Sequence, residues 1–362
     1  MLSTSLLRDA WAAVHGVAVV VATVARAVVG RRLDDAWDWR TQASRDLLVR
    51  WSSDGEARRG LFLLSGALGW LQQQAGPLQT YTCVELAATH AYPVDGGLAA
   101  RCGRWGPRLL AMSQAQPQPP LPVDLVQSTQ TAAAGGGRVG LLLHGGAYVT
   151  GGRTEYRVLA VRMSRELALP VYVVEYRLAP ATKYPGQLYD ALRALDFLER
   201  RGHAASSVVV LGDSAGGNLA LALWQATRAP FAGLVLLSPR VDVVSRRPSW
   251  ARNMHRDILP RFDWHQGSLA LLLLEEDRVE EDAFLAPVHA DLTGAPRMLV
   301  QVGTGEVMLD DVRAFVLRAE AAGQVVYAEY DGAFHVFQAA PLGAVGSAEA
   351  WRQARDFVRA LG

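Results

Sequence analysis

Residues 207–221, with the sequence SVVVLGDSAGGNLAL, decide the fold of this chain. They begin with the apolar run 208–211, which is short, rich in valine and predicts a buried strand. They end in a run of Ala and Leu that predicts a helix. Between the two lies the pentapeptide G-x-S-x-G at 212–216, whose small residues on either side of a serine allow a sharp turn from strand to helix.

The turn places Ser214 at the carboxyl end of a strand and at the N-terminus of a helix. Backbone N–H groups and the helix dipole favour developing negative charge at that point. The pentapeptide is also compatible with an ordinary turn in which the serine caps the helix. Because the strand and the helix are the context that a nucleophile requires, we predict that Ser214 is a catalytic nucleophile.

The alternation of strands and helices continues from residue 139 to the C-terminus. The predicted strands are 139–144, 170–176, 207–212, 233–238, 298–302 and 325–330, and the predicted helices are 155–168, 186–201, 215–227, 311–322 and 348–360. Continuous apolar strands between helices predict an α/β fold with a mostly parallel central sheet covered on both faces. In such a sheet the active site lies beyond the carboxyl ends of the strands.

The sequence HGGAY at 144–148 follows the first of these strands. Glycines there can turn peptide N–H groups toward an empty space, which a tetrahedral oxyanion needs. We predict an oxyanion hole formed by Gly145, Gly146, Ala147 and Ala215, with the last three as the donors. We interpret His144 as a residue that holds this loop through a hydrogen bond, because the catalytic base follows the acid along such chains.

The base is expected late in the chain, on the loop after the last strand. Of the eight histidines, His335 alone follows the last predicted strand, and we predict that it is the base. The acid must lie between nucleophile and base, and Glu306 lies in the loop directly after the strand 298–302. Asp310 is the alternative acid, but Asp310 and Asp311 lie where the next helix begins and fit helix capping better.

Together these motifs resemble the hormone-sensitive-lipase-like esterases of the α/β-hydrolase superfamily. The resemblance covers residues 139–362 and rests on HGGAY at 144–148, YRLAP at 176–180 with YP at 184–185, GDSAGGN at 212–218, GTGEVMLDD at 303–311 and GAFH at 332–335. It implies the α/β-hydrolase fold with a helical cap. The chain departs from the family in having Ala147 where many members have a third glycine, and Glu306 where Asp is more usual.

The resemblance also implies a division of the chain. We expect an N-terminal helical cap at 1–70, a connecting region of uncertain structure at 71–120, and a catalytic domain at 121–362 with a cap insertion at about 240–291. Residues 10–29 leave two interpretations open. Their apolar run is shorter than a spanning helix requires, so we favour a cap helix, and the alternative is a membrane-associated helix with Arg26, Arg31 and Arg32 at the interface.

The composition indicates which partners to expect. A net charge of +1 gives no reason to predict a nucleic-acid partner. Histidine and cysteine do not cluster at ligand spacing, so we predict no metal and no cofactor. Cys83 and Cys102 are too few for a disulfide framework, and we predict that they are unbonded in a cytoplasmic protein.

We therefore predict a carboxylic ester hydrolase that acts on short- to medium-chain esters through a serine acyl-enzyme. Two alternatives remain open: an amide hydrolase of the arylformamidase type, and a non-catalytic ligand-binding protein on the same fold, as in plant gibberellin receptors. The presence of Ser214, Glu306 and His335 argues against the second. Peripheral membrane contact through 10–29 and a homodimer are both compatible with the sequence.

Overall fold

The computed structural model describes residues 81–128, 137–244, 247–259, 273, 282–323, 325–340 and 344–361. The strands are β1 (Tyr81–Ala88), β2 (Leu121–Ser128), β3 (Val139–Leu143), β4 (Val171–Val174), β5 (Val208–Asp213), β6 (Gly233–Leu237), β7 (Met298–Gly303) and β8 (Val325–Tyr330). The helices are α1 (Gly96–Arg101), α2 (Gly106–Gln114), α3 (Arg153–Leu167), α4 (Gly186–Arg200), α5 (Ala215–Thr227), α6 (Pro248–Arg252), α7 (Leu309–Ala321) and α8 (Ser347–Arg359).

The eight strands form one sheet in the order β1-β2-β4-β3-β5-β6-β7-β8. From β4 to β8 every neighbouring pair is parallel, whereas β1 with β2 and β2 with β4 are antiparallel. The predicted α/β fold with a mostly parallel sheet is confirmed. Because β3, β5, β6, β7 and β8 are parallel, their carboxyl ends meet at one edge of the sheet.

Successive strand residues supply two hydrophobic layers, one on each face of the sheet, as the pleat requires. On β5, Val208 and Val210 pack with α4, α5 and α7, whereas Val209 and Leu211 pack with α3 and α8. A strand that is buried on both faces has no exposed positions for alternating polar residues. The central strands therefore appear in the sequence as mostly apolar runs.

The predicted strands and helices from residue 139 onward are all present. Their ends differ from the predicted ones by at most two residues; β4, for example, spans Val171–Val174 instead of 170–176. The region 71–120, whose structure the sequence left uncertain, contributes β1, α1 and α2, and β1 forms the edge of the sheet beside β2. The sheet thus begins upstream of residue 121. Cys83 on β1 and Cys102 after α1 are free thiols.

Most residues of the predicted cap lie outside the described ranges. This holds for 1–70, including 10–29, and for much of the insertion at about 240–291. Of that insertion the structure describes 240–244, 247–259, 273 and 282–291. In the part of the chain that is described, no helix is long and apolar enough to cross a membrane.

Candidate active site

Ser214 stands between the last residue of β5 and the first residue of α5. Its backbone has φ 51° and ψ −118°, a conformation that residues with side chains rarely adopt. A Cβ atom at Gly212 would collide with the carbonyl group of Gly216, and a Cβ at Gly216 would collide with the carbonyl group of Leu143 at the end of β3. These close backbone contacts explain why both positions of the motif require glycine.

A chain of hydrogen bonds joins Ser214, His335 and Glu306. His335 Nε2 lies 2.9 Å from Ser214 Oγ, and His335 Nδ1 lies 2.9 Å from Glu306 Oε2. Because an ionised carboxylate only accepts, Nδ1 carries the hydrogen and Nε2 accepts the hydroxyl hydrogen of Ser214. The structure thus brings together the three predicted side chains, which come from the loops after β5, β7 and β8.

The carboxylate of Glu306 is fully buried and held on its other oxygen as well. Its Oε1 accepts a hydrogen bond from Ser238 Oγ at 2.6 Å and another from the N–H of Gly303 at 2.6 Å. Ser238 directly follows β6 and has a positive φ of 48°. These two donors fix the orientation of the carboxylate and leave Oε2 for His335.

The alternative acid, Asp310, points elsewhere. It accepts a hydrogen bond from the N–H of Ser249 at 2.9 Å, and its neighbour Asp311 accepts one from Trp250 Nε1 at 3.0 Å. Helix α7 begins one residue before Asp310, so neither aspartate occupies the capping position. The prediction that they cap this helix is therefore wrong, because their carboxylates instead fasten α6 to α7.

The surroundings of His335 raise the pKa of its imidazole above the ordinary value of 6.5. Burial is the largest influence and by itself lowers this pKa, since a charged ring is poorly solvated there. The hydrogen bond to Glu306 and the negative charges of Glu306, Asp257 and Asp213 together outweigh burial. The site therefore favours the imidazolium form that a general base must pass through.

The loop after β3 has the backbone of an oxyanion-binding turn. Gly146, Ala147 and Tyr148 have positive φ values of 110°, 54° and 65°. Within the described chain, no protein acceptor receives the N–H groups of Gly146, Ala147 and Ala215. The N–H of Gly145 instead donates to Asp213 Oδ1 at 3.0 Å. The N–H of Gly145 is thus engaged by Asp213, and the predicted donors are Gly146, Ala147 and Ala215.

Asp213, the residue before Ser214, fixes this loop to β5. Its Oδ2 accepts a hydrogen bond from the hydroxyl group of Tyr156 at 2.9 Å, while Oδ1 receives the N–H of Gly145. Burial raises the pKa of Asp213 to about 6, and the hydrogen bonds from Tyr156 and Gly145 limit that rise. A Cβ atom on Gly145 would collide with this carboxylate, so the close approach requires glycine.

His144 has the structural role that the sequence indicated. Its Nδ1 lies 2.7 Å from the carbonyl oxygen of Gly145, and its ring stacks on Tyr176 with centroids 4.0 Å apart. Burial lowers the pKa of His144 to about 4, so the ring is neutral near pH 7. A neutral, buried imidazole bonded to the loop supports the loop and does not compete with His335.

Sequence reasoning missed three residues that hold the site: Asp213, Ser238 and Asp257. Asp213 lies inside the motif and Ser238 directly after a predicted strand, so their positions gave a usable signal. Asp257 lies in an irregular segment with no motif, yet its carboxylate accepts the backbone N–H of His335 at 2.9 Å. As for metals, the described residues contain no group of three or more His, Cys, Asp or Glu side chains that could hold an ion.

Comparisons with known proteins agree with this geometry. A family model described as the alpha/beta hydrolase fold matches residues 141–339, which is more than half of the chain. An acetyl-hydrolase of Streptomyces hygroscopicus is 34% identical over 207 residues, which cover 56% of this chain and 68% of the relative. An esterase of Acinetobacter venetianus is 32% identical over 201 residues, which cover 54% of this chain and 66% of the relative.

Solved structures extend the similarity. A crystal structure of an esterase from the bacterial hormone-sensitive lipase family matches with a TM-score of 0.66 and 26% identity, covering 95% of this chain and 97% of that one. A hormone-sensitive lipase from a metagenome library matches with a TM-score of 0.62 and 29% identity, covering 67% of this chain and 83% of that one. This chain therefore belongs to the α/β-hydrolase family and, within it, to the bacterial hormone-sensitive-lipase-like esterases.

Proposed function

We propose that this esterase hydrolyses short- to medium-chain carboxylic esters through an acyl-enzyme on Ser214. The observation that carries the proposal is the pair of 2.9 Å contacts that link Ser214 Oγ to His335 and His335 to the buried Glu306. This is the arrangement in which a serine hydroxyl loses its proton to a histidine during attack.

In the first half of the reaction, Ser214 Oγ forms a bond to the ester carbonyl carbon and His335 Nε2 takes the hydroxyl proton. The carbonyl oxygen becomes an oxyanion, which the N–H groups of Gly146, Ala147 and Ala215 stabilise by about 3–4 kcal/mol per donor. When the intermediate collapses, the bond to the leaving alkoxide breaks and His335 donates its proton to that oxygen, which releases the alcohol.

In the second half, water replaces the alcohol. His335 takes a proton from water as the hydroxide forms a bond to the acyl carbon, and the same N–H groups stabilise the second oxyanion. Collapse breaks the bond to Ser214 Oγ, and His335 returns the proton to that oxygen. Through both halves Glu306 accepts the Nδ1 hydrogen and stabilises the imidazolium, so the sequence consumes one water and restores the enzyme.

The acyl length is the finer part of the proposal. Two of the similar proteins carry names that support small acyl groups, the acetyl-hydrolase of Streptomyces hygroscopicus and an ethyl acetate hydrolase of Pseudomonas putida, which is 37% identical over 142 residues. The substrate is a small-molecule ester. The cytoplasmic location, the absence of nucleic-acid and cofactor partners, peripheral membrane contact and a homodimer stay predictions from the sequence.

The test is hydrolysis of p-nitrophenyl esters of increasing acyl length beside an aryl formamide series. We expect turnover of acetate and butyrate esters that exceeds turnover of longer acyl esters and of formamides. The variant Ser214→Ala should lose at least about 10⁴-fold in kcat on the best ester, because no other hydroxyl takes the acyl group. Faster turnover of formamides would favour amide hydrolysis, and activity retained by Ser214→Ala would overturn the assignment of the nucleophile.

A further inference from the structure

The segment 247–259, which we name the strap, crosses the loop that carries Glu306. It consists of α6 and the irregular residues that follow. Asn253 Nδ2 donates to the carbonyl oxygens of Thr304 and Glu306 at 2.9 and 2.7 Å, and Ser249 Oγ donates to the carbonyl oxygen of Val307 at 2.6 Å. Side chains of the strap therefore bind the backbone on both sides of the acid.

Asp257 extends these contacts from the acid to the base. Its Oδ2 accepts the N–H of Val307, the residue after Glu306, at 2.8 Å. Its Oδ1 accepts the N–H of His335 at 2.9 Å and the N–H of Ile258 at 2.7 Å. One carboxylate thus joins the loop after β7 to the loop after β8, at His335 itself and at the residue that follows Glu306.

The charge of Asp257 is buried next to His335. The residue is 1% exposed, and these three donors are all backbone N–H groups. Burial raises the pKa of Asp257 above its ordinary range, and Glu306 adds to that rise, whereas His335 and the N–H groups of Val307 and His335 oppose it. A buried carboxylate held by neutral donors is unfavourable by itself, and a proton on His335 reduces that penalty.

We propose that Asp257 is a positioning residue of the ester-hydrolysing site: it fixes His335 against the Glu306 loop, and its charge stabilises the imidazolium that forms when His335 takes the Ser214 proton. This inference rests on the proposed function. Asp257 bonds to the backbone N–H of His335 and not to the ring nitrogens that exchange the proton. It acts through the backbone of the base and through space.

Among the described residues, the charged groups that act on His335 are Glu306 on the loop after β7, Asp257 on the strap, and Asp213 at the end of β5. Replacing Asp257 by Asn removes one of these three negative charges. The pKa of His335 should then fall, so the acidic limb of kcat/KM should move to lower pH. An altered position of the base should at the same time lower kcat.

The test measures kcat and KM for p-nitrophenyl butyrate across the pH range in which histidine titrates, with wild-type protein and Asp257→Asn. We expect a kcat loss of about 10- to 100-fold with KM changed less than about twofold, and an acidic limb displaced to lower pH. Asp257→Glu keeps the negative charge but on a longer side chain. Its kcat should therefore fall, while the acidic limb of kcat/KM should stay at the same pH as in the wild-type protein.

Asp310→Asn is the matched control. Asp310 also accepts an N–H group of the strap, that of Ser249, but it makes no contact with His335. This variant should keep kcat within about twofold and leave the acidic limb unchanged, because the same type of bond is lost away from the base. Equal loss of kcat in both Asn variants would mean that the strap only stabilises the fold, and would overturn the proposal.

The remaining outcomes are also decisive. An Asp257→Asn variant with wild-type kcat and an unmoved acidic limb refutes the positioning role. If Asp257→Asn does not fold, the Asp257→Glu variant decides. A kcat equal to that of the wild-type protein refutes the positioning role, and a lower kcat with an unchanged acidic limb of kcat/KM supports it. If the wild-type protein hydrolyses no ester, the proposed function fails. If the wild-type protein hydrolyses esters and Asp257→Asn does so equally well, only this inference is refuted.

Discussion

At the scale of single residues, His335 is held by three contacts: its ring nitrogens lie 2.9 Å from Ser214 Oγ and from Glu306 Oε2, and its backbone N–H donates to Asp257. Ser214 and His335 could be selected from the sequence because a glycine motif and the order along the chain mark them. Glu306 required the further argument that it directly follows a strand. Asp257 had no such mark, since its function depends on which backbone N–H groups the strap meets in three dimensions.

The role of Glu306 gives the first prediction at this scale. In Glu306→Gln, an amide replaces the carboxylate that accepts the Nδ1 hydrogen of His335, which removes the negative charge and allows the wrong tautomer of the ring. We expect kcat on the best p-nitrophenyl ester to fall by about 10⁴-fold with a small change in KM. Steady-state kinetics measures this, and a Glu306→Gln variant with wild-type kcat would contradict the assignment of the acid.

The pH dependence of the wild-type protein follows from His335. The base must be neutral to accept the Ser214 proton, and its pKa is raised above 6.5. As the pH falls, the neutral fraction is therefore lost earlier than for a free imidazole. We expect the acidic limb of kcat/KM to have its midpoint above pH 6.5. A rate profile in buffers of constant ionic strength measures this, and a midpoint clearly below that value would contradict the electrostatic description of the site.

At the scale of elements, the sequence predicted best those strands that are buried on both faces. Strands β3, β5, β6 and β7 are buried at every position, and each appears in the sequence as a mostly apolar run, in which Asp213 at the end of β5 and Gln301 in β7 are the polar members. The edge strand β1 combines exposed residues such as Val84 and Glu85 with the half-buried Cys83 and Leu86, so its membership of the sheet could not be read reliably from composition. Helix α6 has only five residues and depends on contacts with α7 for its position.

Helix α3 and strand β2 are joined by a buried ion pair that allows an element-scale prediction. The Asp124 side chain is fully buried, and Arg157 Nη2 lies 2.8 Å and Arg153 Nη1 2.5 Å from its oxygens. Burial raises the pKa of Asp124, but the hydrogen bonds and charges of the two arginines outweigh burial and hold it below the ordinary 3.8.

Removing the arginines should destabilise the protein more than removing the carboxylate. Arg153→Ala with Arg157→Ala leaves a buried charge with no cationic partner and, among the described residues, only the thiol of Cys83, 3.5 Å away, as a donor, which costs about 3–5 kcal/mol. Asp124→Ala leaves two partly exposed guanidinium groups that water can solvate, and we expect a loss of about 1–3 kcal/mol. Urea unfolding at neutral pH gives both free energies, and a larger loss for Asp124→Ala would contradict this ranking.

At the scale of the whole molecule, the parallel sheet places the candidate catalytic residues at one of its edges. The loops after β5, β7 and β8 hold Ser214, Glu306 and His335, and the loop after β3 holds the candidate oxyanion donors. Helices on both faces bury these strands, so the loops stand on a rigid base. The sequence predicted this arrangement because parallel topology alone brings the strand ends together, whereas the form of the predicted cap depends on packing that the sequence pattern does not encode.

The last prediction separates the sheet from the predicted cap. Deleting residues 1–32 removes no residue of the strands and helices that the structure describes, since the first of them, β1, begins at Tyr81. We therefore expect cooperative urea unfolding with a midpoint close to that of the full chain, and retained hydrolysis of p-nitrophenyl acetate. If 1–70 forms part of a cap over the site, the deletion should also change the ratio of kcat/KM between butyrate and longer acyl esters, because a cap shapes the acyl pocket. An unchanged ratio would show that residues 1–32 do not shape that pocket, and loss of the cooperative transition would show that they stabilise the sheet itself.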